Sequence, residues 1–393
     1  MERDNSLGGA FNKETGELNT DKLHEHFKNL KDIKESKMNI LLMGATGVGK
    51  SSLINALFGK EIAKAGVGKP ITQHLEKYID EKKGLILWDT KGIEDKDYHD
   101  TMQSIKKEME DSFKTLDEKE AIDVAYLCVD ETSGRIQERE LLSFAKDWNI
   151  PTIVVFTHTQ AEAGDAFVQE SKAIIGEEWG FKGFVKAYVR VNSVAFSFRG
   201  LKVPVEGLEE LVAETEKCLS DAKENKRRHF LSIQKANIQK RKQAMIEECK
   251  TIIHVASGAA AAGAIPIPFS DALAIAPIQA GMIYKMNDAF GMDLDKSVGA
   301  SLITGLLGVT AVAQVGRTLV NGFLKFIPVV GSVAGGATAA IITEGIGFAY
   351  LKVLEKCFND ETGEVNLPGE VGMITSLFKE NYLNLDTIKK LTQ

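Results

Sequence analysis

The strongest indication of the fold comes from the segment Met38-Asn39-Ile40-Leu41-Leu42-Met43-Gly44-Ala45-Thr46-Gly47-Val48-Gly49-Lys50-Ser51. Its first six residues are nearly all apolar and predict a buried strand, and residues 51–58 have the pattern of a helix. The loop between them fits Gly-x-x-x-x-Gly-Lys-Ser, the P-loop pattern, in the strand–loop–helix context that this motif requires. Glycines let consecutive backbone N–H groups turn toward phosphate oxygens, and the helix N-terminus adds partial positive charge. The stretch therefore predicts a site for the phosphates of a nucleotide.

The residues of this loop have different expected roles. Those predicted to contact the nucleotide are Gly44, Ala45, Thr46, Gly47, Val48, Gly49, Lys50, Ser51 and Ser52. The Lys50 ammonium is expected to reach the β- and γ-phosphate oxygens and to act in catalysis, and the Ser51 hydroxyl is expected to ligate Mg²⁺. Mg²⁺ is therefore the predicted cofactor.

A metal-bound nucleotide also needs a carboxylate at the end of a neighbouring strand. Asp89 follows the apolar run Leu85–Trp88, and Asp89-Thr90-Lys91-Gly92 fits Asp-x-x-Gly. We expect Asp89 to hold Mg²⁺ through water and the Gly92 N–H to contact the γ-phosphate. Thr72, in the Gly/Pro-containing loop before the strand-like residues 75–79, is the candidate second hydroxyl for Mg²⁺ and would order that loop around the γ-phosphate. The alternative for Thr72 is an ordinary turn residue.

Composition limits the class of protein. A net charge of −7 argues against nucleic acid as the main partner, because binding the phosphate backbone draws on a basic surface. The four cysteines form no Cys-x-x-Cys pair, which disfavours a zinc site or a disulfide framework. The first residues contain no apolar stretch of signal-peptide length, so a cytoplasmic location is expected.

Four regions follow from changes in composition along the chain. Residues 1–36 form a polar arm with one helical pattern, and residues 37–220 alternate short apolar runs with helical patterns, as in a three-layer α/β domain. Residues 221–250 are a basic helical segment, either a solvated linker or a stretch facing anionic lipid. Residues 251–393 begin as an apolar, Gly/Ala-rich helical region and end in a polar tail.

The apolar region leaves two structures open. No charge occurs between Lys296 and Arg317 or between Lys325 and Glu344, a length that could cross a bilayer. Pro266, Pro268 and Asp271 interrupt the first apolar run, and glycine and alanine allow close helix packing in water as well as in lipid. We favour a helical domain that is soluble or attaches reversibly to a membrane surface through residues 251–358.

With the loop, Thr72 and Asp89 in this order, the first 220 residues resemble the translation-factor-like class of P-loop GTPases. The resemblance is strongest to the bacterial Era-like branch and its relatives among immunity-related, septin-like and chloroplast-import GTPases. It implies an α/β fold, a P-loop GTPase domain with a six-stranded, mainly parallel sheet, and GTP and GDP as ligands. Residues 250–357, with Ala264–Ala272 and Phe326–Gly336, resemble a helical domain of unknown role that follows such domains in bacterial proteins, so an all-α C-terminal domain is expected.

The resemblance also places the base-contacting residues. The class reads guanine with Asn/Thr-Lys-x-Asp, whereas this chain has Thr157-His158-Thr159-Gln160 after the corresponding strand. The Thr157-His158 pair resembles the sequence of the chloroplast-import GTPases at this position, so His158 is expected to stack on the base and Gln160 to offer an amide oxygen. Ser193 follows the strand after which the class has a backbone contact to guanine. Because the aspartate is missing, ATP remains the leading alternative ligand, and His158 and Gln160 as plain loop residues remain a second.

Turnover is expected to be slow. Ile93 stands where many small GTPases carry the glutamine that orients the attacking water, and its side chain can neither position nor polarise water. A partner supplying an arginine would raise the rate about 10³- to 10⁵-fold. We therefore predict a slow or partner-stimulated GTPase that acts as a switch on the helical domain, with homodimerisation or self-assembly as one output. The alternatives are a nucleotide-bound scaffold with little turnover and a membrane protein with a GTPase head.

Overall fold

The computed structural model describes residues 37–59, 69–70, 75–90, 106–107, 110–111, 121–159, 161–198, 201–219, 224–263, 271–292, 296–311 and 336–382. These residues fall into two compact units that divide after Arg241. The first unit contains the sheet and the P-loop, and the second contains the helices of the apolar region. The predicted arm of residues 1–36 lies outside the described residues.

A mainly parallel sheet forms the centre of the first unit. Its strands are β1 (Met38–Met43), β2 (Lys69–Pro70), β3 (Leu75–Asp80), β4 (Leu85–Thr90), β5 (Val124–Asp130), β6 (Thr152–Thr157) and β7 (Val185–Val191). The order across the sheet is β2-β3-β4-β1-β5-β6-β7. β1 pairs in parallel with β4 and β5, while β3 runs antiparallel to β4 and to the two-residue edge strand β2. The six longer strands agree with the predicted six-stranded, mainly parallel sheet.

Helices and one hairpin complete the first unit. They are α1 (Lys50–Phe58), α2 (Arg139–Asp147), α3 (Asp165–Ala173), the hairpin of β8 (Phe196–Phe198) and β9 (Leu201–Val203), α4 (Leu208–Cys218), α5 (Glu224–Ile233) and the start of α6 (Ile238–Gly263). Side chains of β1 alternate between two apolar cores, with Ile40 packing in one and Leu41 in the other. The first core includes residues of α1, α4 and α5, and the second includes residues of α2 and α3. Because β1 is covered on both faces, its sequence is a continuous apolar run rather than an alternating one.

The helix α5 packs on the sheet unit. Phe230 is fully buried and its ring meets that of Phe58, the last residue of α1, edge to face at 6.1 Å. The Lys226 ammonium lies 2.9 Å from the buried carboxylate of Asp123, which also accepts a hydrogen bond from the Asn39 backbone N–H. These contacts attach α5 to the first unit, with Phe230 in its core. The limits of the four regions predicted from composition remain predictions.

The second unit is helical. It contains the rest of α6, α7 (Asp271–Ala289), α8 (Lys296–Ala311), α9 (Gly336–Cys357), a short hairpin of β10 (Phe358–Asn359) and β11 (Glu364–Val365), and α10 (Val371–Tyr382). The α7 helix packs against α8 and α9, and α10 packs against α8 and α9. The combination of a mainly parallel sheet domain and a helical C-terminal region confirms the predicted fold class.

Small residues and buried hydrogen bonds join these helices. A Cβ on Gly347 of α9 would lie 2.6 Å from Ile253 of α6, so the absence of a side chain allows this close approach. Tyr350 donates to the amide oxygen of Asn287, and the Gln279 amide donates to Thr343 Oγ1 at 3.2 Å. Glycine at position 347 therefore allows α6 and α9 to pack closely. Among the described helices, none is both long and apolar enough to cross a bilayer.

Candidate functional site

The P-loop joins the end of β1 to the start of α1 at the carboxyl edge of the sheet. Gly44, Gly47 and Gly49 have φ values of 135°, 81° and 88°, a region that residues with side chains rarely adopt. A Cβ on Gly44 would also lie 2.4 Å from the carbonyl oxygen of Cys128 on β5. The backbone path of the loop therefore requires glycine at position 44 for two reasons, conformation and space.

Lys50 lies folded over this loop. Its side chain is buried, and the ammonium donates to the carbonyl oxygens of Gly44 at 2.8 Å and Ala45 at 3.0 Å. The same nitrogen lies 3.8 Å from Oδ1 of Asp89. The cation is thus held at the loop by neutral acceptors, with one carboxylate nearby. Ser51 is exposed at the first turn of α1, and Ser52 is half-buried behind it.

Asp89 lies near the end of β4, directly beside β1. Burial, opposed by Lys50 and aided by Glu76 across the β3–β4 pair, raises the pKa of its carboxyl to about 6. The buried Oδ1 of Asp89 accepts no hydrogen bond from any described residue. The next residue, Thr90, is fixed by a hydrogen bond from its hydroxyl to the Leu42 carbonyl oxygen at 3.2 Å.

These groups fit a magnesium–nucleotide site. A buried carboxylate oxygen without a hydrogen-bond donor is suited to a cation or to its bound water, and Ser51 offers a hydroxyl at the adjacent helix start. The described residues contain no cluster of three or more His, Cys, Asp or Glu side chains that could hold a metal. Mg²⁺ commonly takes one or two protein ligands and completes its shell with phosphate and water.

The raised pKa of Asp89 predicts how the metal-free protein responds to pH. Because the folded state binds this proton more tightly than the unfolded chain, the stabilisation it gives is complete below pH 3.8 and is lost as the pH rises through about 6. The asparagine of Asp89→Asn is neutral at every pH, so the variant does not lose stability through ionisation at this position. The nucleotide-free variant is therefore expected to be more stable than wild type at pH 7.5, by on the order of 2 kcal/mol.

Urea denaturation in EDTA at pH 4 and pH 7.5 measures the effect. The gain should be larger at pH 7.5 than at pH 4. Asp80→Asn is the matched control. Asp80 is the last residue of β3 and its carboxylate pairs with Lys83 in the following turn, so the variant should give no such gain. A loss of stability in Asp89→Asn at pH 7.5 would show that its attraction to Lys50 outweighs its burial.

Thr157 connects the P-loop to residues 157–159, part of the loop predicted from the sequence to contact the base and called the base-side loop below. This residue ends β6 and is buried, and its hydroxyl donates to the carbonyl oxygen of Val48 in the P-loop at 2.7 Å. The carbonyl oxygen of Val129 on β5 lies 3.2 Å from the same hydroxyl. One threonine thus fixes three segments at the carboxyl edge of the sheet.

His158 follows in a left-handed backbone conformation, with φ 54°, which is uncommon for a residue with a side chain. Its Nδ1 lies 3.1 Å from Oδ2 of Asp130, and its Nε2 lies 3.4 Å from where a Cβ on Gly49 would be. Asp130 itself is held by the Thr132 N–H at 2.8 Å. The imidazole is therefore placed against the junction of the P-loop and α1, with nearly half of its surface exposed.

Thr159 is buried, and its hydroxyl donates to Oε1 of Glu206 at 2.7 Å. Glu206 lies between β9 and α4, and its backbone pairs with that of Asn192. Ser193, next to Asn192, is half-buried at the end of β7. No pattern in the sequence indicated Glu206, because it lies 46 residues beyond the Gln160 position and only the sheet brings the two loops together.

The structure brings together the P-loop, Lys50, Ser51 and Asp89, and it places Thr157 and His158 beside them. The roles assigned to these residues from the sequence remain predictions. Thr72, Gly92 and Gln160, together with Ile93, lie outside the described residues.

Comparison with known proteins agrees with this architecture. Residues 39–158 match the family model described as 50S ribosome-binding GTPase. The chain is 30% identical over 142 residues to GTPase Der from Clostridium botulinum, a match that covers 34% of this chain and 31% of that protein. It is 28% identical over 112 residues to magnetosome membrane protein 22 from Magnetospirillum gryphiswaldense, covering 28% and 57% of the two chains.

Among solved structures, a probable GTP-binding protein engB aligns with 46% of this chain and 98% of its own, at 20% identity and a TM-score of 0.32. The match to GTPase Der spans about a third of that protein's length. The residues that match the family model end at His158, in the base-side loop. Residues 39–158, which include the P-loop and Asp89, are thus similar to a P-loop GTPase domain.

Proposed function

We propose that the protein is a slow, Mg²⁺-dependent GTPase that acts as a nucleotide switch on its helical unit. The observation that carries the proposal is the position of Lys50, whose ammonium lies between two P-loop carbonyl oxygens and Asp89. A bound nucleotide would draw this cation to its phosphates, while Ser51 and Asp89 would hold the metal, which supplies charge neutralisation at the transferring phosphoryl group. Thr72 and the Gly92 N–H are assigned to the γ-phosphate, and His158, Gln160 and Ser193 to the base.

Contacts within the first unit support the proposed coupling as far as the start of α6, the helix whose later residues belong to the helical unit. The helix α1 starts at the P-loop and ends at Phe58, whose ring meets Phe230 of α5. The carbonyl oxygen of Leu57 accepts from the Lys235 N–H at 2.6 Å, just before α6 begins. Arg241 of α6 donates to the Ser232 carbonyl oxygen at 3.0 Å. A shift of α1 on nucleotide exchange would therefore act directly on α5 and on the first turn of α6.

Limited proteolysis tests the coupling. The full chain is digested with a GTP analogue, with GDP and without nucleotide, and cleavage between residues 220 and 358 is followed by mass spectrometry. We expect the pattern with the GTP analogue to differ from the other two. An identical pattern in all three states would contradict the switch.

Multiple-turnover phosphate release separates the switch from a nucleotide-bound scaffold. Slow release that needs Mg²⁺ supports the enzyme, whereas bound nucleotide with no release, even at high protein concentration, supports the scaffold. For the output, we propose self-assembly or attachment to a membrane surface through residues 251–358. Sedimentation velocity and flotation with phosphatidylserine-containing vesicles, each with GDP and with a GTP analogue, distinguish these two outputs.

GTP is expected to displace a fluorescent guanine nucleotide from the wild-type protein at least about tenfold better than ATP does, the discrimination that one or two base hydrogen bonds supply. Competition at equal concentrations of the two triphosphates, with Mg²⁺ present, measures the ratio. Equal competition by ATP would overturn guanine selection while leaving phosphate and metal binding intact.

A further inference from the structure

The site as predicted from the sequence has no carboxylate for the base. Guanine presents two adjacent donors, N1–H and the 2-amino group, and a carboxylate is the side chain that accepts from both. Gln160, at the position of the usual aspartate, carries no charge. We infer that Glu206 supplies the guanine-reading carboxylate of this domain. The inference rests on the proposed function and specifies the ligand of that same site.

The backbone of Glu206 is fixed at the end of β7. Its N–H donates to the Asn192 carbonyl oxygen at 3.1 Å, and the Asn192 N–H donates back to the Glu206 carbonyl oxygen at 3.0 Å. The Asn192 amide also donates to the Pro204 carbonyl oxygen at 2.5 Å. Gly207, which follows, has φ 76°, and a Cβ there would lie 1.8 Å from the Arg190 carbonyl oxygen. The turn that contains Glu206 therefore needs glycine at 207. It is held by the paired backbones of Glu206 and Asn192.

The side chain of Glu206 is directed to the base-side loop. Its Oε1 accepts from the Thr159 hydroxyl at 2.7 Å, and Thr159 is two residues after Thr157, the residue bonded to the P-loop. His158, between them, lies against Gly49. The carboxylate is therefore held beside the loop to which the proposed function assigns the base. Thr159 acts as its positioning residue.

The surroundings leave the carboxylate available to a ligand. Glu206 is exposed, and within the described residues it makes no ion pair, while its Oε2 accepts no hydrogen bond. Adenine has an acceptor at N1 and no 2-amino group, so a negative oxygen here would repel it. This gives the site a means of rejecting ATP that Gln160 alone lacks. The competing explanation is that Glu206 only favours the positive end of α4, which begins two residues later.

Nucleotide competition with Glu206→Gln tests the inference. The amide loses one acceptor and gains a donor, so affinity for GTP is expected to fall about ten- to a hundredfold, the range for charged hydrogen bonds. Xanthosine triphosphate carries a carbonyl where guanine has the amino group, and its affinity for the variant is expected to rise. Glu210→Gln, on the exposed side of α4, is the matched control and should leave the affinities for GTP and for xanthosine triphosphate unchanged.

The outcomes separate this inference from the proposed function. A fall in GTP affinity with a gain for xanthosine triphosphate supports Glu206 as the reader of the base, because a purely structural role would weaken both nucleotides. Unchanged GTP affinity in Glu206→Gln, while wild type still prefers GTP to ATP, overturns the inference and leaves the GTPase proposal standing. Wild-type protein that binds no guanine nucleotide would overturn both. Thermal unfolding of each variant checks that the fold is retained.

Discussion

Lys50→Ala is expected to weaken binding of GTP by at least about a hundredfold and to abolish its hydrolysis, since the variant loses a charged donor worth roughly 3 kcal/mol to the phosphates. The ammonium is already buried at the P-loop, so no other side chain takes its place without rebuilding the loop. Isothermal titration with a GTP analogue measures the affinity, and phosphate release over hours measures turnover.

The fold must be checked separately, because Lys50 also donates to two loop carbonyl oxygens. Circular dichroism and thermal unfolding of the nucleotide-free variant serve that purpose. Lys182→Ala, at an exposed turn before β7, is the matched loss of one lysine and should bind and hydrolyse as wild type does. Turnover retained in Lys50→Ala would contradict the assignment of this P-loop as the catalytic site.

Phe230→Ala is expected to destabilise the first unit by about 3–5 kcal/mol, the usual cost of emptying a fully buried aromatic site. Phe230 has no exposed surface and packs on Phe58 at the end of α1. Urea denaturation followed by tryptophan fluorescence reports on this unit, because Trp88, Trp148 and Trp179 all lie in it. Loss of the contact should also lower affinity for the GTP analogue if α1 couples the site to α5.

Asn225→Ala on the exposed face of the same helix is the matched control for Phe230→Ala, and its stability should stay near that of wild type. A small change in the free energy of unfolding of Phe230→Ala would mean that α5 is a solvated linker, the first of the two interpretations of the basic segment. The buried ion pair between Lys226 and Asp123 gives a second way to reach that answer, because breaking it should also destabilise this unit.

The sequence alone predicted the sheet and the P-loop because the signals are local. Residues 38–43 form β1 as expected, since a strand covered on both faces must be apolar throughout. The loop glycines indicate positive φ, and Gly44, Gly47 and Gly49 adopt it. Asp89 was found because a carboxylate directly after a buried strand reaches the edge where parallel neighbours end.

The rest depended on contacts between distant segments. Residues 221–250 have the composition of a solvated basic helix, yet α5 buries Phe230 in the sheet unit and pairs Lys226 with Asp123, more than a hundred positions away. Charge content describes the outer face of a helix and gives no information about which surface covers the other face. Packing therefore decided the position of α5.

An α/β domain, a phosphate-loop pattern and a carboxylate at Asp89 could be predicted from the sequence, because each is encoded within a few consecutive residues. Contacts in the folded chain show that Thr157 holds the P-loop through Val48 and that Glu206 meets Thr159. Both contacts join loops that are far apart in the chain and adjacent at the carboxyl edge of one sheet. A missing guanine-reading aspartate is visible in the sequence, but a carboxylate that could replace it is visible only once β6 and β7 lie side by side.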